Sequence, residues 1–182
     1  MPFTFRPAAI PEVIIVEAAR FDDPRGYFME TYKASAFAAG GIPGPFLQDN
    51  VSYSIRGTLR GLHYQKRPHE QGKLVMVLSG EIYDVAVDIR PHSATYGRWV
   101  GEVLSAANRR FLYIPEGFAH GFQCLSAEAI VAYKVTKEFD LASDRGIRWN
   151  DPTVGIAWPL PDPLLSPKDA ALPPLAAADN NF

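Results

Sequence analysis

Short apolar runs in which alternate positions turn polar recur along the chain, and this period of two predicts β-strands. Residues 13–16 (Val-Ile-Ile-Val) form a β-branched run that ends before the turn-rich Asp22-Asp23-Pro24-Arg25-Gly26. Residues 27–32 alternate weakly and predict a second strand. Residues 34–40 are rich in small side chains and predict a short helix stopped by Gly40-Gly41. Strands over 50–55 and 59–64 are expected to meet in a Gly57-Thr58 hairpin turn. The clearest pair is 73–78 and 81–89, two apolar runs around Ser79-Gly80, a two-residue turn signal. In the second run Val85, Val87 and Ile89 alternate with Ala86 and Asp88, so one face is the more apolar. Residues 98–104 and 109–114 predict another hairpin around Ala106-Ala107-Asn108. After the turn Pro115-Glu116-Gly117, strands are expected over 120–125 and 129–136. About nine or ten short strands at this spacing indicate an all-β sandwich or barrel.

Past Asn150 the texture changes to an extended, Pro-rich segment with Pro152, Pro159, Pro161 and Pro163. Ser166-Pro167-Lys168-Asp169 then reads as a helix start, with Ser at the N-cap, Pro at N1 and Asp at N3. Pro173-Pro174 keeps that helix short. No internal repeat, linker or low-complexity tract divides the chain, so residues 1–182 are expected to form one domain.

Composition narrows the picture. The 16 Pro and 14 Gly disfavour long helices, and 12% aromatic content favours strands and flat ligand surfaces. Eighteen basic against 20 acidic residues leave a net charge of −2, which gives no support to a nucleic-acid or membrane-surface role. One cysteine, Cys124, rules out an internal disulfide and a Cys-rich metal motif. No apolar run approaches the length of a membrane span, and the opening MPFTFRPAAIPEV lacks an export-signal pattern. A cytoplasmic protein is expected.

Polar side chains inside the β-rich segments carry the candidate chemistry, because a small barrel encloses little besides side chains or one ligand. Arg60 and His63 lie in one predicted strand but three positions apart, so at period two they face opposite sides unless a bulge or Gly61 re-aims one of them. His63 and Gln65 share a face. On spacing alone, His63 reads as a half-buried strand histidine and His120 as a turn-flanking one. His69 and His92 read as loop residues, Lys73 as an edge cation and Tyr133 as a packed tyrosine.

Pro115-x-Gly117-x-x-His120 is similar to the second motif of the cupin family, whose histidine binds a metal. Lys73, seven residues before Gly80, stands about where the first cupin motif carries a metal-binding Glu, and the paired histidines of that motif are absent. A lysine repels a divalent ion. The scaffold therefore looks cupin-like and the metal site looks converted.

A longer set of motifs goes further. Phe21-x-Asp23-x-Arg25-Gly26-x-Phe28-x-Glu30 and Gln48-Asp49-Asn50 are followed by Leu59-Arg60-Gly61-Leu62-His63-Tyr64-Gln65 and Gln71-Gly72-Lys73. Then come Asp84-Val85-Ala86-Val87-Asp88-Ile89-Arg90, Ile114-Pro115-Glu116-Gly117-Phe118-Ala119-His120-Gly121-Phe122, Tyr133-Lys134 and Ser166-x-Lys168-Asp169. In this order they resemble the dTDP-4-dehydrorhamnose 3,5-epimerase family from about residue 13 to 175. The resemblance implies a cupin-like jelly-roll barrel with a short C-terminal helix, a homodimer that exchanges N-terminal strands, and neither metal nor diffusible cofactor. The implied substrate is dTDP-4-dehydro-6-deoxy-D-glucose, inverted at C3 and C5.

By that resemblance His63 is the general base, oriented by Asp169. Lys73 meets the charge developing on the C4 oxygen, and Tyr133 is the acid on the opposite face. A base of this kind is worth ~10²–10⁴-fold in rate, and a lost oxyanion stabiliser costs roughly 3–4 kcal/mol. Arg25 and Arg60 match diphosphate-binding positions, while Glu30, Gln48, Asn50, His120, Asp144 and Lys168 match other substrate-binding positions. Phe139 stands where the family commonly has a thymine-stacking Tyr, and Asp144 where Glu is usual. These departures keep open an epimerase acting at one carbon; a metal-dependent cupin and a sugar-nucleotide-binding module without activity are two further readings.

Overall fold

The computed structural model describes residues 2–182. Its strands are β1 (Phe3–Pro7), β2 (Ile14–Ala18), β3 (Arg20–Asp23), β4 (Gly26–Met29), β5 (Gln48–Ile55), β6 (Leu59–Gln65), β7 (Lys73–Ser79), β8 (Glu81–Asp88), β9 (Trp99–Ser105), β10 (Arg110–Ile114), β11 (Phe118–Cys124), β12 (Glu128–Val135) and β13 (Asp144–Gly146). Helix α1 (Ala34–Ala39) follows β4, and α2 (Pro167–Ala170) lies near the C-terminus. Among the described residues no helix is long and apolar enough to cross a membrane.

Two antiparallel sheets face each other. One has the order β1-β2-β10-β7-β12-β5, the other β13-β6-β11-β8-β9, and β3-β4 form a separate ribbon. This is the all-β, cupin-like jelly roll with a short C-terminal helix. The strands fall close to where periodicity predicts them, but three expected hairpins are not hairpins. β5 and β6 lie in different sheets, as do β7 and β8, and β9 and β10. Gly57 (φ +82°) and Gly80 (φ +79°) adopt the left-handed conformation a tight turn demands. That local chemistry is the same whether the chain returns beside itself or crosses to the facing sheet.

Three apolar clusters surround this frame. Val75, Val77, Ile82, Leu112, Phe118, Phe122 and Val131 fill the space between the sheets. Phe37 and Ile42 cover the outer face of the six-stranded sheet against Phe3, Val16, Leu74 and Phe111. The more apolar face of β8, with Val85, Val87 and Ile89, points away from the barrel interior and is covered by Val154, Ile156, Trp158 and Leu175. The Pro-rich segment after Asn150 is thus an outer wall, and the alternate residues of β8, Asp84 and Ala86, face inward.

The geometry of the interior is set where β6 meets β11. His120 pairs with His63, but Phe122 pairs with Arg60, so two steps along β11 match three along β6. The extra residue is a β-bulge at Gly61 (φ +123°), and it turns Arg60 and His63 onto one face. A Cβ on Gly61 would lie 2.6 Å from Gly121 Cα and 2.7 Å from the His120 carbonyl oxygen. Gly57 also has positive φ but open space around it. Gly61→Ala should therefore destabilise the fold by about 3 kcal/mol or more, and Gly57→Ala by only about 1 kcal/mol. Urea unfolding of both variants checks this; equal, small effects would contradict the close approach at Gly61.

Candidate active site

The bulge opens onto a cleft between the sheets with two adjoining lobes of about 360 and 260 Å³. Gln48, Asn50, Phe139 and Asp144 line the first lobe. Arg60, His120 and Asp169 line the second. His63, Lys73, Tyr133 and Lys168 line both. The cleft therefore gathers side chains from β5, β6, β7, β11, β12, β13 and α2, drawn from both sheets.

His63 stands on β6, and its partner arrives from far along the chain. Its Nε2 lies 2.6 Å from Asp169 Oδ1. Asp169 sits in α2, whose first turn is fixed by the Asp169 backbone N–H donating to Ser166 Oγ at 3.0 Å. The segment before α2 is tied down where Leu59 N–H donates to the Leu164 carbonyl at 3.0 Å. The N-cap reading of Ser166 holds, and the cap positions the carboxylate as well as ending the extended segment. Burial alone would raise the pKa of Asp169. The hydrogen bond and charge of His63, with bonds from Ser166 and Gly61, outweigh it and hold the carboxyl below its usual value. A carboxylate so held fixes the imidazole tautomer and stabilises an imidazolium.

Lys73, at the head of β7, is almost fully enclosed, and its Nζ donates to the His63 carbonyl at 3.3 Å. It is a buried interior cation, not an edge one. Burial lowers its pKa to about 8; the charges of Asp144 and Asp84 pull it up and Lys168 pushes it down. Tyr133 on β12 pairs with Asn50 and Val75 in register and faces the same cleft. Burial raises its pKa, with Arg60 partly opposing, so the phenol keeps its proton and can deliver it.

His120 is held by a second carboxylate, with Nε2 2.8 Å from Asp84 Oδ1. Burial lowers the pKa of His120, and Asp84 only partly restores it. Lys168 donates to Asp144 at the mouth of the cleft. Arg60 is anchored through Nε to Ser54 Oγ at 3.0 Å and through a terminal nitrogen to the Tyr53 carbonyl at 2.9 Å. The loop bearing Phe139 is pinned at two points: Phe139 N–H donates to Gln48 Oε1 at 2.8 Å, and Asp140 N–H to Gln65 Oε1 at 2.7 Å. An exposed ring on a pinned backbone makes a ready stacking surface.

Two expected site residues lie elsewhere. Arg25 sits at the tip of the β3-β4 ribbon with 90% of its side chain exposed, paired with Asp23 at 2.6 Å. Glu30, just after β4, also stays outside both lobes. The physical reason is that the ribbon pairs with neither sheet of its own chain. Conversely, the sequence reading missed Asp84 and did not assign Gln65 a role. The signal for Asp84 was an acidic residue at period two with Ala86 on a strand whose other face is fully apolar. Among the described residues no group of three or more His, Cys, Asp or Glu side chains converges as metal ligands would.

The family model for dTDP-4-dehydrorhamnose 3,5-epimerase matches residues 7–177. This chain belongs to that family. An enzyme of that name from Pseudomonas aeruginosa is 54% identical over 94% of this chain and 95% of its own. A dTDP-4-dehydrorhamnose 3-epimerase from Streptomyces niveus is 41% identical over 90% of this chain and 80% of its own. The crystal structure of dTDP-6-deoxy-D-glucose-3,5-epimerase from Legionella pneumophila, in complex with dTDP-4-keto-L-rhamnose, superposes with a TM-score of 0.93. It is 47% identical, covering 96% of this chain and 94% of that one. In this epimerase-family chain the cation beside His63 is predicted to titrate near neutrality. NMR titration of ¹³C-labelled lysines should show one with a midpoint of about 8, shifted lower in Asp144→Asn because an attracting charge is gone. A Lys73 midpoint at the ordinary lysine value, or one unmoved by Asp144→Asn, would contradict the enclosure described.

Proposed function

We propose that the protein inverts dTDP-4-dehydro-6-deoxy-D-glucose at C3 and C5, giving dTDP-4-dehydro-L-rhamnose. The observation that carries this reading is the His63–Asp169 bond in a cleft that also holds a buried lysine and a protonated tyrosine. C3 and C5 flank the C4 ketone, so removing either proton yields an enolate. His63 takes the proton, and Asp169 stabilises the imidazolium that results. Lys73 faces the C4 oxygen, where the charge collects, and in an enclosed site a fixed cation acts strongly. Tyr133 returns a proton from the opposite face, which inverts the carbon. A proton leaves and a proton returns, so the balance requires no redox partner.

Arg60 and Lys168 suit the diphosphate, since a planar guanidinium and an ammonium both complement phosphate oxygens. Phe139 offers a stacking face to thymine without the hydroxyl of the usual tyrosine. The shorter Asp144 is already engaged by Lys168. A single-carbon reaction is the second reading, favoured by the similarity to the Streptomyces niveus 3-epimerase. A cytoplasmic location suits a charged nucleotide-sugar substrate.

The working unit is a homodimer, and the β3-β4 ribbon is the arm it exchanges. The ribbon carries Phe21, Tyr27 and Phe28 exposed, the last at 65%. The edge strand β5 presents Val51, Tyr53 and Ile55 outward, Val51 at 68%. Contiguous apolar surface of this kind on an unpaired edge favours a partner. A second copy also accounts for Arg25 and Glu30, which then serve the neighbouring cleft.

Turnover in D₂O followed by NMR should place deuterium at both C3 and C5 of the product. Label at one carbon would support the second reading, and His63→Ala should abolish exchange at every position. Arg25→Ala and His63→Ala should each be inactive alone. Mixed and reassorted, they should regain about a quarter of wild-type activity, because half the dimers are mixed and each has one intact site. No recovery would place Arg25 in its own chain's cleft, and full activity of Arg25→Ala alone would place it outside any.

A further inference from the structure

The cleft holds two histidine–carboxylate pairs, and the reaction described above uses one. His120 lies opposite His63 across β6 and β11. Its carboxylate, Asp84, comes from β8 on the other side of β11 and has no exposed surface at all. Asp84 Oδ1 is 2.8 Å from His120 Nε2, while Oδ2 is buried without a partner. A fully buried carboxylate with one oxygen unsatisfied is expensive, and an apolar pair of similar volume would pack there at lower cost. Such a pair needs a purpose beyond packing.

We propose that Asp84 is a positioning residue for the epimerisation: it keeps the His120 proton on Nε2, so that Nδ1 meets a hydroxyl of the bound sugar as a hydrogen-bond acceptor. This rests on the function proposed above. An ionised carboxylate only accepts, so Nε2 must donate. The ring is neutral, because burial lowers its pKa and the charges of Lys73 and His63 push the same way, against Asp84. In a neutral imidazole the other nitrogen then bears a lone pair. His120 lines the second lobe beside Arg60, Lys73 and Lys168, which donate hydrogen bonds and cannot accept them, while the Asp169 carboxylate there is engaged by His63. A hexose brings hydroxyl hydrogens as well as oxygens, and those that face the cations need an acceptor from another side chain. An imidazole with a fixed tautomer supplies one while adding no further positive charge beside Lys73.

The wild-type protein tests the tautomer directly. Long-range ¹H–¹⁵N correlation of its four histidines, with His120 assigned by its disappearance in His120→Gln, should show Nε2 protonated and Nδ1 bare near pH 7. A proton on Nδ1, or on both nitrogens, would overturn the proposal. Asp84→Leu is close in volume and offers Nε2 no acceptor, so nothing holds the imidazole proton there and kcat/KM should fall about 10- to 100-fold. The measurement is made at pH 6.5, well below the Lys73 titration, so that loss of the Asp84 charge does not remove the ammonium. In a His120→Ala background, Asp84→Leu should cost less than about twofold, because a positioning residue has nothing left to position. An equal loss in both backgrounds would show Asp84 acting independently of His120. Absence of any epimerisation by the wild type would defeat the proposed function and remove the sugar as the partner of Nδ1, while the tautomer spectrum would still read the Asp84–His120 geometry.

Discussion

Gly61 and Gly121 approach so closely that neither position accepts a side chain: a Cβ on Gly61 would lie 2.6 Å from Gly121 Cα, and one on Gly121 would lie 2.6 Å from the Arg60 carbonyl oxygen. The arrangement of the cleft depends on this contact. An unbroken β6 would point Arg60 and His63 to opposite faces. The bulge spends one residue without advancing the register, and Arg60, His63 and His120 then border one cleft. Two backbones in contact also leave no room for the strands to slide. His63 and Arg60 are therefore held by main-chain packing, which is stiffer than any side-chain rotamer.

A second constraint is electrostatic. Arg60, Lys73 and Lys168 crowd one cleft, and with no counter-charge Lys73 would shed its proton on burial. The carboxylates are dispersed to prevent this. Asp144 and Asp84 both attract the Lys73 ammonium from different strands, while Asp169 is committed to His63. None is so close to Lys73 as to tie it up in a direct salt bridge, since the Nζ hydrogen bond goes to the His63 carbonyl. The result is a cation that stays charged near neutrality, with its other donor positions not consumed by an ion pair. A divalent ion would have required the reverse arrangement, with the carboxylates and imidazoles converging on one point.

Much of this was legible in the sequence, and the remainder was not for identifiable reasons. Strand positions followed from alternation, and the N-cap of α2 from Ser166-Pro167. The motif set gathered His63, Lys73, Tyr133 and Asp169, which periodicity alone left as ordinary strand and loop residues. Strand pairing was misread at Gly57, Gly80 and the 105–109 turn, because a turn's dihedral angles do not record which sheet receives the next strand. The conflict between Arg60 and His63 was visible, but its resolution depends on Gly121, sixty residues away in the chain. Asp84 received no role because alternation along β8 marks the more apolar face without saying whether that face points into the barrel. In the fold that face is the outer one, covered by the segment after Asn150. Arg25 and Glu30 matched the motif yet lie outside both lobes, because a motif match does not record how a two-stranded ribbon sits relative to the sheets.

The fold's exposed surface and its cleft share a strand. β5 is an edge strand in which Gln48, Asn50 and Ser52 face the cleft while Val51, Tyr53 and Ile55 face outward. One backbone thus forms the wall of the site and the apolar margin of the sheet. Anything that orders the outer face orders the inner one, because alternation along a strand leaves no freedom to move one set of side chains without the other. A partner seated on Val51, Tyr53 and Ile55 would therefore fix Gln48, and through it the Phe139 backbone that Gln48 holds at 2.8 Å.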